Sequence, residues 1–180
     1  MPDMQNYGIE NDIKSCLLED ILSDSEAVRL IEHKKEIKLP AKHLLYDQVV
    51  PWCKVPDTAE EAKTFVTCEV TIPRAINDAT RIYRLHVFAI VHQSQMKIDS
   101  ANASLLGLQQ CGSKLDILLD HIDYLISGSK RYTFDELKFV GQDLITVPQN
   151  FFGKVNRYEI RGWNMAGEKI REGEMRGRVV

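Results

Sequence analysis

From residue 108 the apolar residues Leu108, Cys111, Leu115, Leu119, Ile122 and Ile126 recur at steps of 3, 4, 4, 3 and 4, and Gly128 follows. That spacing lays a single apolar stripe along one side of an α-helix, and a glycine just past it is a common stop. A one-sided stripe needs an apolar surface to lie on. Strands supply it. In Phe65–Ile72 the residues Val66, Cys68, Val70 and Ile72 share one face, while Thr67, Glu69 and Thr71 take the other. Ile82–His92 is the most apolar stretch, rich in β-branched and aromatic residues, as suits a central strand. Two more strands are predicted at about residues 136–146 and 154–163, with Pro148 and Gly153 bracketing their connection.

Upstream, Ile9, Ile13, Leu17 and Ile21 recur every four residues, with Cys16 and Leu22 widening the stripe of a first helix. Ser23-Asp24-Ser25-Glu26 reads as a capping box with Ser23 as the cap. It opens a short second helix whose Ala27, Leu30 and Ile31 face inward, with Lys34 and Lys35 near its carbonyl pole. Residues 36–63 hold Pro40, Pro51 and Pro56 yet carry Leu44, Leu45, Tyr46, Val49, Val50 and Trp52. A long loop this greasy packs onto its own domain or onto a neighbour. Pro73 through Asp78 is expected to turn, and Asp99–Ser104 to be a polar loop. The order is α-α-loop-β-β-α-β-β, an α+β fold with a mainly antiparallel sheet. One domain is expected over residues 1–164, and a flexible tail of alternating charge and glycine over 165–180.

Composition removes several classes. Hydrophobic residues make up 44% of the chain, too many for a disordered protein, and 23 Lys+Arg against 26 Asp+Glu is not the balance of a strongly basic nucleic-acid binder. The longest apolar run, Val87 to Val91, is far short of the ~20 residues that span a bilayer. The start, Met1-Pro2-Asp3-Met4-Gln5-Asn6, has no basic or apolar signal region, so neither a membrane nor a secretory route is expected. Cys16, Cys53, Cys68 and Cys111 lie 37, 15 and 43 residues apart with no Cys-x-x-Cys pair. Zinc is not expected, and buried free thiols are.

Catalysis requires converging groups, and the candidates are scattered. His86 and His92 share a strand face but stand too far apart to share a metal, and His121 sits beside Asp120 and Asp123 on a helix, where neighbours point apart. Glu136-Leu137-Lys138 has the Glu-x-Lys spacing of a strand-borne metal nuclease, but the upstream acids Asp120 and Asp123 fall on a helix. Arg74, Arg81 and Arg84 surround Tyr83, with acids nearby to dilute the patch. No phosphate loop or hydrolase elbow is present. No catalytic, cofactor or metal residue is therefore assigned, and the chain is expected not to be an enzyme.

Residues 50–72, from Val50-Pro51-Trp52-Cys53 to Glu69-Val70-Thr71-Ile72, resemble a segment of neck proteins of tailed bacteriophages. Cys111 to Gly128 is similar to the long helix of those proteins, which begins Gly-x-Arg-Ile-Asp and ends Leu-Asn-Gly; this chain departs at Lys114, Ile126 and Ser127. The resemblance spans about residues 50–162 and points to the tail terminator, or head–tail joining, class. It implies a hexameric ring on the last ring of the tail tube, made in the host cytoplasm and carried in the virion neck. It further implies partners in the tail tube protein, the head-side connector or stopper and the sheath protein, with DNA only passing through the lumen. Another neck adaptor, a stopper or a baseplate protein is the nearest alternative, and a nuclease using Glu136 and Lys138 the alternative of another class. Large aromatics favour interfaces, so Tyr46, Trp52 and Val55 of the loop and Phe151 and Phe152 before the last strand are the expected contact residues.

Overall fold

The computed structural model describes residues 8–54, 56, 62–77, 79–148 and 150–163. Helix α1 (Ile9–Ser23) buries Ile13, Leu17, Leu18, Ile21 and Leu22, the stripe its spacing prescribes. Helix α2 (Ser25–Glu32) follows at once and buries Ala27, Val28, Leu30 and Ile31. Its cap is Asp24, not Ser23. Ser23 still belongs to α1, whereas Asp24 is extended between the helices, and its Oδ1 accepts from the N–H groups of Glu26 and Ala27 at 3.0 and 2.8 Å.

The long loop is partly ordered by backbone pairing. A 3₁₀ turn at Lys42–Leu44 leads to β1 (Val49–Val50), which runs parallel to β2 (Thr64–Asn77). Buried Gln48 donates to the carbonyls of Ile31 and Thr64 at 3.2 and 3.0 Å, joining loop, helix and strand. β2 extends beyond the predicted strand, through residues expected to turn. Pro73 falls where the β2–β3 register shifts, between Thr71 and Arg74, so its missing N–H interrupts a ladder that is already irregular. The hairpin closes with Asn77 opposite Thr80, the first residue of β3 (Thr80–His92).

Residues 99–104, expected as a loop, instead begin α3 (Ser100–Leu106). Asp99 caps it by accepting from Asn102 N–H at 2.9 Å, Gly107 at φ 70° ends it, and Ala103 and Leu106 go into the core. β4 (Lys97–Ile98) pairs with β5 (Gly112–Ser113) in a small second sheet. That pairing sets the start of the long helix, α4 (Lys114–Ile126), later than the apolar stripe suggests. Gly112 at φ 145° cannot be helical and Ser113 is the N-cap, so Leu108 reaches the core from a loop and Cys111 is exposed. Gly128, at φ 74°, lies just past the helix end, as expected.

The chain closes with β6 (Lys138–Ile145) and β7 (Phe151–Trp163). The main sheet has the order β1-β2-β3-β7-β6, antiparallel except at β1, so the fold is α+β as expected. Helices α1, α2 and α4 lie on one face, over Val66, Cys68, Val70, Leu85, Val87, Ala89 and Tyr158. Asn156 fixes that layer: its Nδ2 donates to the Leu119 carbonyl of α4 at 3.4 Å, and its Oδ1 accepts from Gln142 at 2.8 Å. A smaller cluster of Phe65, Ile90 and Phe151, flanked by Ile145 and Val147, lies apart from that main core.

Candidate interaction surface

Among the described residues, the catalytic candidates read from the sequence do not come together. Among the described residues there is no group of three His, Cys, Asp or Glu able to hold a metal. Glu136 lies before β6 rather than on it, and its carboxylate pairs with Lys130 at 3.3 Å, while Lys138 opens the strand. His121 reaches Asp24 across the helix layer at 2.7 Å. Arg84 is paired with Glu159 on the neighbouring strand, and Tyr83 is buried with its hydroxyl on the Trp163 carbonyl at 2.8 Å, so neither of these two stands in an open basic patch. Of the four free thiols only Cys68 is buried, and burial pushes it up to about 12; Cys16 is half-buried, and Cys53 and Cys111 are exposed, against the expectation of buried thiols.

What the fold does present is apolar surface. Tyr46 sits in the tight turn before β1, where Gln48 N–H donates to the Leu44 carbonyl at 3.0 Å and Tyr46 N–H to the Val49 carbonyl at 2.9 Å. Those bonds hold it at φ 68°, a conformation that costs a bulky residue about 1–3 kcal/mol. The cost is not offset by burial, because Tyr46 is 64% exposed. Its ring stacks on Trp52, itself 48% exposed, with centroids 5.8 Å apart and planes 16° apart. Val55 lies outside the described residues.

Phe151 and Phe152 are neighbours on β7, not before it, and alternation sends them to opposite faces. Phe151 is only 5% exposed and packs in the smaller cluster of its own subunit; Phe152 is 49% exposed. Phe152 lines a groove of about 480 Å³ with Met96, Leu115, Leu144 and Val147, bordered by the Lys154–Asp116 ion pair.

The groove runs beside β6, which among the described strands is an outer one, pairing with β7 alone. None of its eight residues is buried, and Phe139, Val140 and Leu144 are exposed apolar side chains, Leu144 at 78%. Among the described residues, its N–H and C=O groups on the outer side have no strand partner. An eight-residue edge with apolar side chains is a template for pairing with another chain. Sequence reading singled out the aromatics of the long loop but not this edge. The signal was available in Phe139, Val140 and Leu144, yet edge and central strands look alike until the strand order is known.

The described residues form an α+β fold with an unpaired sheet edge and exposed aromatic side chains. The chain matches the YomW family over residues 11–160, from within α1 to within β7, and belongs to that family. The family is of phage type, which makes this a phage-associated protein. No curated protein matches it.

Proposed function

We propose that this chain is a structural protein of the phage virion and not an enzyme: a tail terminator that forms a hexameric ring at the head-proximal end of the tail tube. In this role it stops tube polymerisation and joins the tail to the head-side connector. The observation that carries the reading is the exposed Tyr46–Trp52 stack held on a strained turn, since a position that costs backbone energy without burial is best explained by use in a contact. The bare β6 edge supports it. In a head-to-tail ring every subunit uses one surface to meet a different surface on the next, and closure leaves no edge free. The net charge of −3 suits a lumen through which DNA passes without sticking. The phage family supports the setting.

Partners in this role are other copies of the chain, the tail tube protein, the connector or stopper, and the sheath protein. Mixing purified chain with polymerising tube protein and imaging the product tests it. Tubes of limited length capped at one end are expected, and Trp52→Ala is expected to stay folded while capping far less. Uncapped tubes of unrestricted length with the unaltered chain would contradict the reading.

A further inference from the structure

Lys114 is fully buried at the start of α4, and its Nζ donates only to Gln95 Oε1, at 2.9 Å. That oxygen already accepts from Thr64 Oγ1 at 3.0 Å. A lysine ammonium offers three donors, so two are unused among the described residues. Where α2 packs on α4, His33 ends α2 within electrostatic reach of Lys114, and its Nδ1 is buried without a partner among the described residues. Arg29, in the last turn of α2, has a buried Nε likewise without a partner among the described residues, and its guanidinium lies against Gly107. Buried polar groups are normally hydrogen-bonded, and a short supply of acceptors is itself an observation to explain.

The electrostatics agree with that placement. Burial, and then the charge of Lys114, hold His33 below its ordinary pKa. Burial alone brings Lys114 down to about 7, with no carboxylate acting to hold its charge. The closest acids in sequence are engaged elsewhere, Glu32 with His43 and Asp116 with Lys154. Arg29 and His33 are themselves only half-buried, which leaves a way in from solvent.

We propose that the seam between the C-terminal end of α2 and the start of α4 binds one carboxylate, with Lys114 Nζ and His33 Nδ1 donating to its oxygens and Arg29 at the rim. Charge balance in the buried part of the seam selects the class. Arg29 is half-exposed, so water screens its charge, and the cation fully buried there is Lys114. One carboxylate neutralises it and leaves His33 neutral as a donor, whereas a phosphate of about −1.5 to −2 would bury charge in excess of it. The same group is presented by free acetate and by an aspartate or glutamate side chain of a partner. The inference is independent of the assembly role, because it rests on the helix layer rather than on the sheet edge or the aromatic loop.

Thermal unfolding of the full chain at pH 7 tests it, in sodium acetate and in sodium chloride and sodium phosphate of matched ionic strength. Acetate is expected to raise Tm by about 4 °C or more at saturation beyond the effect of chloride. Lys114→Met removes that excess, while Lys97→Met, on the exposed neighbour, keeps it. NMR titration of the Lys114 amine gives a second readout that needs no variant: bound acetate raises its pKa by at least about one unit. N-acetyl-glutamate amide distinguishes the sources; tighter binding than acetate assigns a side-chain carboxylate, and equal binding a free one. Equal Tm in acetate and chloride, an excess that survives Lys114→Met, or stronger stabilisation by phosphate than by acetate overturns the proposal.

Discussion

At the scale of single residues, two polar side chains carry consequences that their sequence neighbours do not. Asp24 both caps α2 and receives His121 from α4, so it ties two helices at one carboxylate. Asp24→Ala is expected to lower stability by about 1–2 kcal/mol, read from urea unfolding, and Asp24→Asn by less because the amide oxygen still caps. Lys114 sets a pH dependence. Its folded pKa of about 7 lies below an unfolded value of ~10.4, so the unfolded chain binds the extra proton between those limits. Stability therefore rises with pH upward from about 7 and is lost as pH falls toward it. Cys68, pushed up to about 12, has the opposite sign, and its effect begins as the unfolded thiol ionises near ~8.5. The clean window is thus about pH 7 to 8.5. His33 and His86, both depressed chiefly by burial, share the sign of Lys114 but finish titrating around pH 6.5. The urea midpoint of the unaltered chain is expected to climb across pH 7 to 8.5, and that of Lys114→Met to stay flat.

At the scale of elements, β6 is the strand whose side chains the fold needs least and whose edge another chain can use most. Leu144→Lys places a charge on an already exposed position, so it is expected to leave stability within about 0.5 kcal/mol while weakening self-association. Unfolding midpoint and light scattering, measured together, separate the two effects. The elements also show where sequence was a sufficient guide. The stripes of α1 and α2, the apolar β3 and the stop at Gly128 were legible because each depends on local period and on one residue's backbone freedom. The start of α4 was not: the stripe from Leu108 continues the helical period, and only pairing of Gly112–Ser113 with Lys97–Ile98, distant in sequence, ends it. Pro73 likewise suggested a turn, because its tolerance in a strand depends on a register shift that only the partner strand defines. Of the expected contact residues, Tyr46, Trp52 and Phe152 are exposed, but Phe151 is spent on its own subunit, and a neighbour-by-neighbour reading could not divide that pair without the strand's register.

At the scale of the whole molecule, one sheet face is covered by helices, and among the described residues the outer side of β6 has no strand partner. The exposed stack flanks β1, at one end of the strand order, and the apolar groove lies beside β6, at the other, an arrangement a head-to-tail ring can use. The proposed terminator role gives both a use, within a family of phage type. Deleting the gene from the phage and measuring tail lengths by electron microscopy is the most direct test. Tails of variable, excessive length that fail to join heads are expected, with normal tails restored by the unaltered chain. Tails of normal, fixed length that still join heads would contradict the role.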